Sequence, residues 1–417
     1  MPRFSRVLFK NRNFFFLWIG QIISQLGDRL DQMALIAFVY ARNPGSAFEI
    51  AKILTFTIIP VFLIGPLAGV YVDRWDRRRT MYICDLLRAF LVLLIPLVLF
   101  HSKNLYLLYI VIFLTFCVGR FFIPAKLAII PDIVSKDELL IANSLVNTTG
   151  MIAAIMGFGI GGIIIEILGP KRGFYLDSLS FVISGTLIFL ICAKRRKSHL
   201  DIKEFGRDII NTIQKSVFQE IKEGILYFIK QKQIRFTACI FFLLWSALGA
   251  VYVVIIVFVQ GTLHSATKDL GLLIMFLGIG LFLGALAYGR FGEKLSHYKV
   301  IFTSLTFSGI ILMAFAVTLR QYPYFKIAAF FSFILGVFVA PIVIACNTLV
   351  HNVSENNMMG KVFSSLEIVM HIAFLLAMFV SSILAEKVPH ASILIVVGAV
   401  FAMLGVINFF FSPVREL

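Results

Sequence analysis

Long apolar runs recur along this chain from Phe14 to Phe411, and nothing else in it limits the possible folds so severely. A bilayer core of about 30 Å needs about 20 apolar residues in a helix. Lipid cannot satisfy backbone N–H and C=O groups, so runs of this length must be helical. Twelve spans are predicted, at roughly 14–41, 49–71, 79–100, 105–125, 143–168, 174–193, 235–260, 270–290, 299–319, 325–348, 361–386 and 391–411. Composition agrees. Hydrophobic residues make up 60% of the 417-residue chain and charged residues 14%, against roughly 45–50% and 25% in soluble domains. The expectation is an all-α integral membrane protein with twelve transmembrane helices in two six-helix halves. These are residues 1–193 and 235–417, joined by a linker over 194–234.

A net charge of +16 invites nucleic-acid binding, but its placement points to topology. On these boundaries 25 Lys and Arg fall in loops and span ends on the side of the N-terminus, and 9 on the opposite side. Four more (Arg29, Arg88, Arg120, Lys126) sit at membrane depth. Cytoplasmic loops carry such an excess. Both termini are therefore expected in the cytoplasm, with no nucleic-acid partner. The basic start (Arg3, Arg6, Lys10, Arg12) runs into a span too long for a signal-peptide core, so it is expected to remain as helix 1. The cysteines (Cys84, Cys117, Cys192, Cys239, Cys346) fall in apolar runs without a CxxC pair and read as small buried hydrophobes.

The linker opens with Lys194-Arg195-Arg196-Lys197 and carries Ile209, Ile213, Val217, Ile221, Ile225 and Phe228 at near-helical spacing. That pattern suits an amphipathic helix on the inner membrane face, its lysines near anionic lipid. Small residues four apart, as in Gly65/Gly69, Gly157/Gly161 and Gly280/Gly284, let helix backbones approach closely in lipid. Gly157-x-Gly159-x-x-Gly162 matches a dinucleotide fingerprint on paper, but it lies inside one apolar span rather than after a strand. With no Walker sequence, zinc-protease pair or nucleophile elbow, neither an enzyme nor a cofactor is expected.

The strongest motif follows span 2: Gly65-Pro66-Leu67-Ala68-Gly69-Val70-Tyr71-Val72-Asp73-Arg74-Trp75-Asp76-Arg77-Arg78-Arg79. It resembles the signature that the major facilitator superfamily carries between helices 2 and 3. The resemblance implies the major facilitator fold, with each half an inverted three-helix repeat. It also implies a conformational latch built on Gly69, Asp73, Arg74, Arg77 and Arg78, in which Asp73 engages the start of helix 11 near Gly360-Lys361. An anion is favoured at a helix N-terminus. Asp76 departs from the glycine usual at its position. Asp85-Leu86-Leu87-Arg88-Ala89, Arg120 with Phe122-Ile123-Pro124-Ala125, Ala142-Asn143-Ser144-Leu145 and Asp177-Ser178-Leu179-Ser180-Phe181 extend the likeness. Together they are similar to the branch holding the enterobactin exporter and the macrolide efflux proteins. Gly157-Phe158-Gly159-Ile160-Gly161-Gly162 is similar to the antiporter motif of helix 5 without its Gly-Pro pair.

A charge at the bilayer centre costs at least about 2.5–3.5 kcal/mol on insertion scales, so intramembrane charges mark candidate function. Asp28 and Asp31 share a face of span 1 and are candidates for proton coupling, with Glu367 and His371 of span 11. Arg120, Gln25 and Asn347 are candidates for the substrate cavity. The competing reading of Asp28 is a structural ion pair with Arg120, and of Asp31 one with Arg29. Asp85 and Arg88, at i and i+3, read as an intramembrane charge pair. No metal ligand set is assigned. Abundant phenylalanine (44 residues) favours a lipophilic or amphipathic cargo.

The expectation is thus a proton-coupled inner-membrane exporter, a monomer whose partners are a small-molecule substrate, protons and membrane lipid. Two alternatives keep the fold and change the cargo. One is a divalent metal, since Gly27-Asp28-Arg29-Leu30 also resembles the ferroportin pattern; the other is a lysophospholipid. A third alternative is a scaffold or receptor that has lost turnover. The topology is directly testable. Cysteines introduced at Lys194 and Lys268 are expected to react with an impermeant maleimide from opposite membrane sides, and same-side labelling overturns the assignment.

Overall fold

The computed structural model describes residues 8–99, 105–192, 232–292, 295–353 and 359–411. Among them run twelve long helices: α1 (Arg12–Arg42), α2 (Ala47–Arg74), α3 (Arg77–Leu94), α4 (Tyr106–Ile133), α5 (Leu139–Leu168), α6 (Pro170–Phe189), α7 (Lys232–Leu263), α8 (Lys268–Phe291), α9 (His297–Gln321), α10 (Phe325–Val353), α11 (Met359–Ala385) and α12 (His390–Phe411). A π-helical turn, Ile95–Leu99, extends α3, and no strand occurs among the described residues. The predicted amphipathic linker helix lies outside them.

Ten of these helices are long and apolar enough to cross a membrane; α1 and α6 fall short. Their own sequences give the reason: Asp28, Arg29 and Asp31 interrupt α1, and Lys171, Arg172 and Asp177 interrupt the 20-residue α6. Most helices overrun the predicted spans, because the backbone hydrogen-bond ladder does not stop where hydrocarbon does. The clearest case is α4, which continues through Pro124 and Pro131 to Ile133 although apolarity was expected to end near 125. Between α2 and α3 the turn is tight, and Asp76 is the N-cap of α3. Its backbone is extended and its carboxylate accepts from the Arg79 amide at 2.9 Å. An aspartate there supplies a helix cap.

The chain divides into two compact units. Described residues 8–38 and 52–192 belong to the first, and 39–51 with 232–411 to the second. The segment Val39–Ala51 thus joins the second unit, where the Glu386 carboxylate accepts from Ser46 Oγ at 3.0 Å and the Phe48 amide at 3.4 Å. Within the second unit α7 packs on α11, α8 on α10 and α9 on α12. The first unit repeats this pairing. α5 glycines meet α1 at Arg29 and Leu30, Phe56 of α2 stacks on Tyr109 of α4 at 5.1 Å, and α3 packs on α6. Matching the first helix of one triplet with the second of the other is what two inverted three-helix repeats produce. Each unit has its own core, centred on Phe14, Met81, Ile129 and Ile130 in the first and on Phe302, Leu305, Ile342 and Cys346 in the second. Side chains such as Leu140, Ile167 and Val396 point outward, as lipid permits. Of the cysteines, Cys84 and Cys346 are buried, but Cys192 and Cys239 are exposed. The expectation of uniformly buried thiols fails because an apolar run has an outer face as well as an inner one.

The glycine pairs divide in the same way. A Cβ at Gly280 would strike the Phe333 carbonyl, and one at Gly284 the Val337 carbonyl, so α8 and α10 touch backbone to backbone. At Gly65 a Cβ meets nothing within 4 Å, and no close approach explains that residue. Gly280→Ala is therefore expected to cost about 1–3 kcal/mol, the usual penalty of overpacking. Gly65→Ala should be neutral. Thermal stability of the detergent-solubilised protein checks both, and equal melting temperatures would refute the contrast.

Candidate functional site

The site grows from a point where two helices nearly merge. A Cβ on Gly27 of α1 would overlap the Ser180 side chain of α6 and come within 2.5 Å of Asp177. Only glycine lets these polar surfaces meet. One residue later Asp28 accepts a hydrogen bond from Arg88 of α3, Nη2 to Oδ1 at 2.5 Å. The other terminal nitrogen of Arg88 stands 3.9 Å from Asp85, one turn back on α3. Asp85 is fully buried and accepts from Ser184 Oγ of α6 at 2.7 Å. The guanidinium carbon sits 3.9 Å from the centre of the Phe181 ring, also on α6, a cation–π contact. Arg88 thereby ties α1, α3 and α6 together.

Around this knot lies a cavity of about 340 Å³, lined by residues of α1, α3, α4 and α6. Its charged lining comprises Asp28, Arg29, Asp31, Arg88, Arg120, Lys126 and Asp177. Gln21, Ser24, Gln25, Gln32 and Thr115 add neutral polar groups, and Phe116, Phe122 and Phe181 add aromatic walls. Such a mixture of apolar surface with a few convergent polar groups characterises small-molecule sites.

Asp28, Asp31, Gln25 and Arg120 all line this cavity. The partner of Asp28 is Arg88, however, and not Arg120, while Arg29 donates to Gln32 at 3.0 Å and lies over the Phe158 ring at 4.8 Å instead of pairing with Asp31. The reason is helical phase. Arg29 points toward α5, and α3 approaches the face of α1 that carries Asp28. Asp85 and Arg88 are close but not hydrogen bonded; the stronger contact of Arg88 crosses to α1.

Glu367, His371 and Asn347 belong to the second unit and line no part of this cavity. His371 Nδ1 stands 2.7 Å from the backbone carbonyl of Glu367, not from its carboxylate, and the ring packs on Trp245 at 5.8 Å. That contact runs to the carbonyl one turn back within α11 and is not a carboxylate–imidazole pair. Among the described residues of the second unit the buried polar side chains are Gln260 and several serines and threonines, with no buried charge.

Within the signature motif, Arg77 donates to the Ala128 carbonyl at 2.7 Å and to Asp132 at 2.8 Å, and Arg78 to the Ile191 carbonyl at 2.7 Å. Cations are favoured at helix C-termini, where carbonyls lack partners. These two arginines therefore fasten the start of α3 to the ends of α4 and α6. The side chains of Asp73 and Arg74 lie outside the described residues.

Sequence reasoning did not assign Asp177 or Lys126 to the site. Span 6 was expected to begin at 174, which puts Asp177 at its rim. Pro170, at the first turn of α6, sets the helix start earlier and carries Asp177 about two turns inward. That proline was the available signal.

Known proteins agree with this architecture. Residues 6–416 match the family model described as transmembrane secretion effector. An uncharacterized MFS-type transporter, YkuC of Bacillus subtilis (strain 168), is 27% identical over 85% of this chain and 81% of its own. Macrolide efflux protein A of Streptococcus pyogenes is 21% identical over 97% of each. A crystal structure of a bacterial homologue of the iron transporter ferroportin, in an inward-facing state, superposes with a TM-score of 0.71 at 15% identity. It covers 95% of this chain and 98% of that one, a likeness of fold alone. With its paired triplets, its signature arginines and a family match over nearly its whole length, the chain belongs to the transmembrane secretion effectors of the major facilitator superfamily, a family of multi-pass membrane transporters.

Proposed function

We propose that this protein is a proton-coupled exporter of lipophilic or amphipathic small molecules, such as drugs or siderophore-like compounds. It would act as a monomer in the inner (cytoplasmic) membrane with both termini in the cytoplasm. One observation carries the reading: a charge-assisted bond at membrane depth, Asp28 to Arg88, that opens onto a cavity of small-molecule size. Relatives whose names record macrolide efflux support the direction and the cargo class.

The chemistry follows from the geometry. The Asp28 side chain is 35% exposed and that of Arg88 13%, so the carboxylate is the half of the pair that the cavity reaches. A proton from the cavity neutralises Asp28 and removes the charge that holds Arg88. Arg88 then keeps only Asp85 and the Phe181 face, and α1 is released from α3. Cargo bearing a cationic or hydrogen-bonding group competes with that proton for the same oxygen atoms. Competition of this kind couples inward proton flow to outward cargo flow when two six-helix halves alternate access. Asp73 would latch one of the alternating states through the signature motif.

The competing cargoes gain less from the site. Among the described residues no three His, Cys, Asp or Glu side chains gather as metal ligands, and Asp28 is already engaged by Arg88. A scaffold that has lost turnover would bind ligand without flux.

The test is accumulation of macrolides and lipophilic dyes in an efflux-deficient bacterium, at matched levels of folded protein. Wild type is expected to lower accumulation until an uncoupler is added. Asp28→Asn should abolish that difference and Asp28→Glu should retain part of it. Uncoupler-sensitive efflux by Asp28→Asn equal to wild type would remove Asp28 from the coupling path. Removing the carboxylate leaves the Arg88 charge uncompensated at membrane depth and endangers the fold, which is why the charge-preserving glutamate is included.

A further inference from the structure

We infer that Asp31 of α1 and Asp177 of α6 form a carboxylate pair holding one shared proton, a second proton site behind Asp28. The inference rests on the proton-coupled reading only for its use in transport; the pair itself stands on geometry.

Asp31 lies four residues after Gly27, on the same face of α1. That face meets α6 where Gly27 abuts Asp177 and Ser180. Both carboxylates line the cavity, yet Asp31 is 7% exposed and Asp177 1%. Asp177 Oδ1 accepts from Ser180 Oγ at 3.2 Å, and Asp31 Oδ1 has no hydrogen-bond partner.

The surrounding charges do not neutralise the two. On α3, the terminal nitrogens of Arg88 face Asp28 and Asp85. On α1, Arg29 is turned to Gln32 and Phe158. On α4, Arg120 and Lys126 line the same cavity, but neither Asp31 nor Asp177 has a cation within ion-pairing distance. The remaining neighbour of α1 is α5, which presents Gly157 and Gly161; its one ionisable residue, Glu166, sits near the far end.

Two ionised carboxylates buried in one cavity wall at membrane depth, with the nearest cation Arg88 already bonded to Asp28, are costly. One proton removes most of that cost: it neutralises one carboxyl, which then donates a short, charge-assisted hydrogen bond to the other. Like-charged carboxylates sharing a site bind a proton as a pair. The proton comes from cavity water and returns to it, and no other bond changes. Asp28 is the proton site that cargo contests, whereas the Asp31–Asp177 pair is a store with little surface open to cargo.

The experiment is infrared difference spectroscopy of the full-length protein in lipid, taken from alkaline to acidic pH without cargo. Wild type is expected to show a protonated-carboxyl band that persists in Asp28→Asn. It should be lost in Asp31→Asn and equally in Asp177→Asn, because the shared proton needs both carboxylates to hold it. If the Asn variants do not fold, Asp31→Glu and Asp177→Glu should each displace that same band. A band lost or displaced by only one of the two positions places the proton on a single residue and overturns the pair. A band that sodium suppresses at constant pH assigns the site to a metal cation and also overturns it. Because the readout needs no cargo, absence of efflux alongside the expected band would fell the exporter reading alone.

Discussion

The first unit is organised by one guanidinium. Arg88 reaches Asp28 on α1, Asp85 on its own helix and the face of Phe181 on α6, and those contacts fix where three helices sit. In water such a set would be worth little, because exposed ion pairs contribute about 0–1 kcal/mol. At membrane depth the alternative for each partner is an unpaired charge in hydrocarbon, and the set becomes compulsory. Helices α1 and α6 lack the apolarity of the other ten. Asp28, Asp31 and Asp177 are tolerated at membrane depth because they line one interior cavity with Arg88, away from lipid.

That constraint links site and fold. Gly27 admits Ser180 and Asp177 to within contact of α1, and Gly157 and Gly161 bring α5 against it from the other side. With glycine on both flanks, α1 is held closely enough for Asp28 and Asp31 to point into one cavity. Lower in the unit, Arg77 and Arg78 satisfy carbonyls at the ends of α4 and α6, so the helices that frame the cavity are also fixed at their termini. Stability and chemistry draw on the same residues.

Most of the architecture was legible because the bilayer fixes helix length and leaves the backbone one way to satisfy itself. All twelve helices follow from apolar runs and their interruptions, whereas the expectation that helix 1 and Arg120 border a cavity comes from the family resemblance. Partner choice was not legible. Whether Asp28 meets Arg88 or Arg120 depends on helical phase and on which glycine lets which neighbour approach, and neither is encoded by spacing along one helix. Asp177 was misplaced by an apolar boundary that began too late, although Pro170 marked the true start. Glu367 and His371 illustrate the opposite error. An i, i+4 spacing promises that two side chains can meet, but the imidazole took the backbone carbonyl instead.

Among the described residues, buried charge is confined to the first unit, while the second buries only amides and hydroxyls. This division bears on how such a protein changes over generations. A substitution in the second unit that reshapes an apolar wall disturbs no buried charge among the described residues. The first unit has no such freedom, since Arg88, Asp28 and Asp85 hold one another across two helices. Apolar side chains can therefore be exchanged in the second unit without disturbing a buried charge, whereas an exchange beside Arg88 disturbs three helices at once.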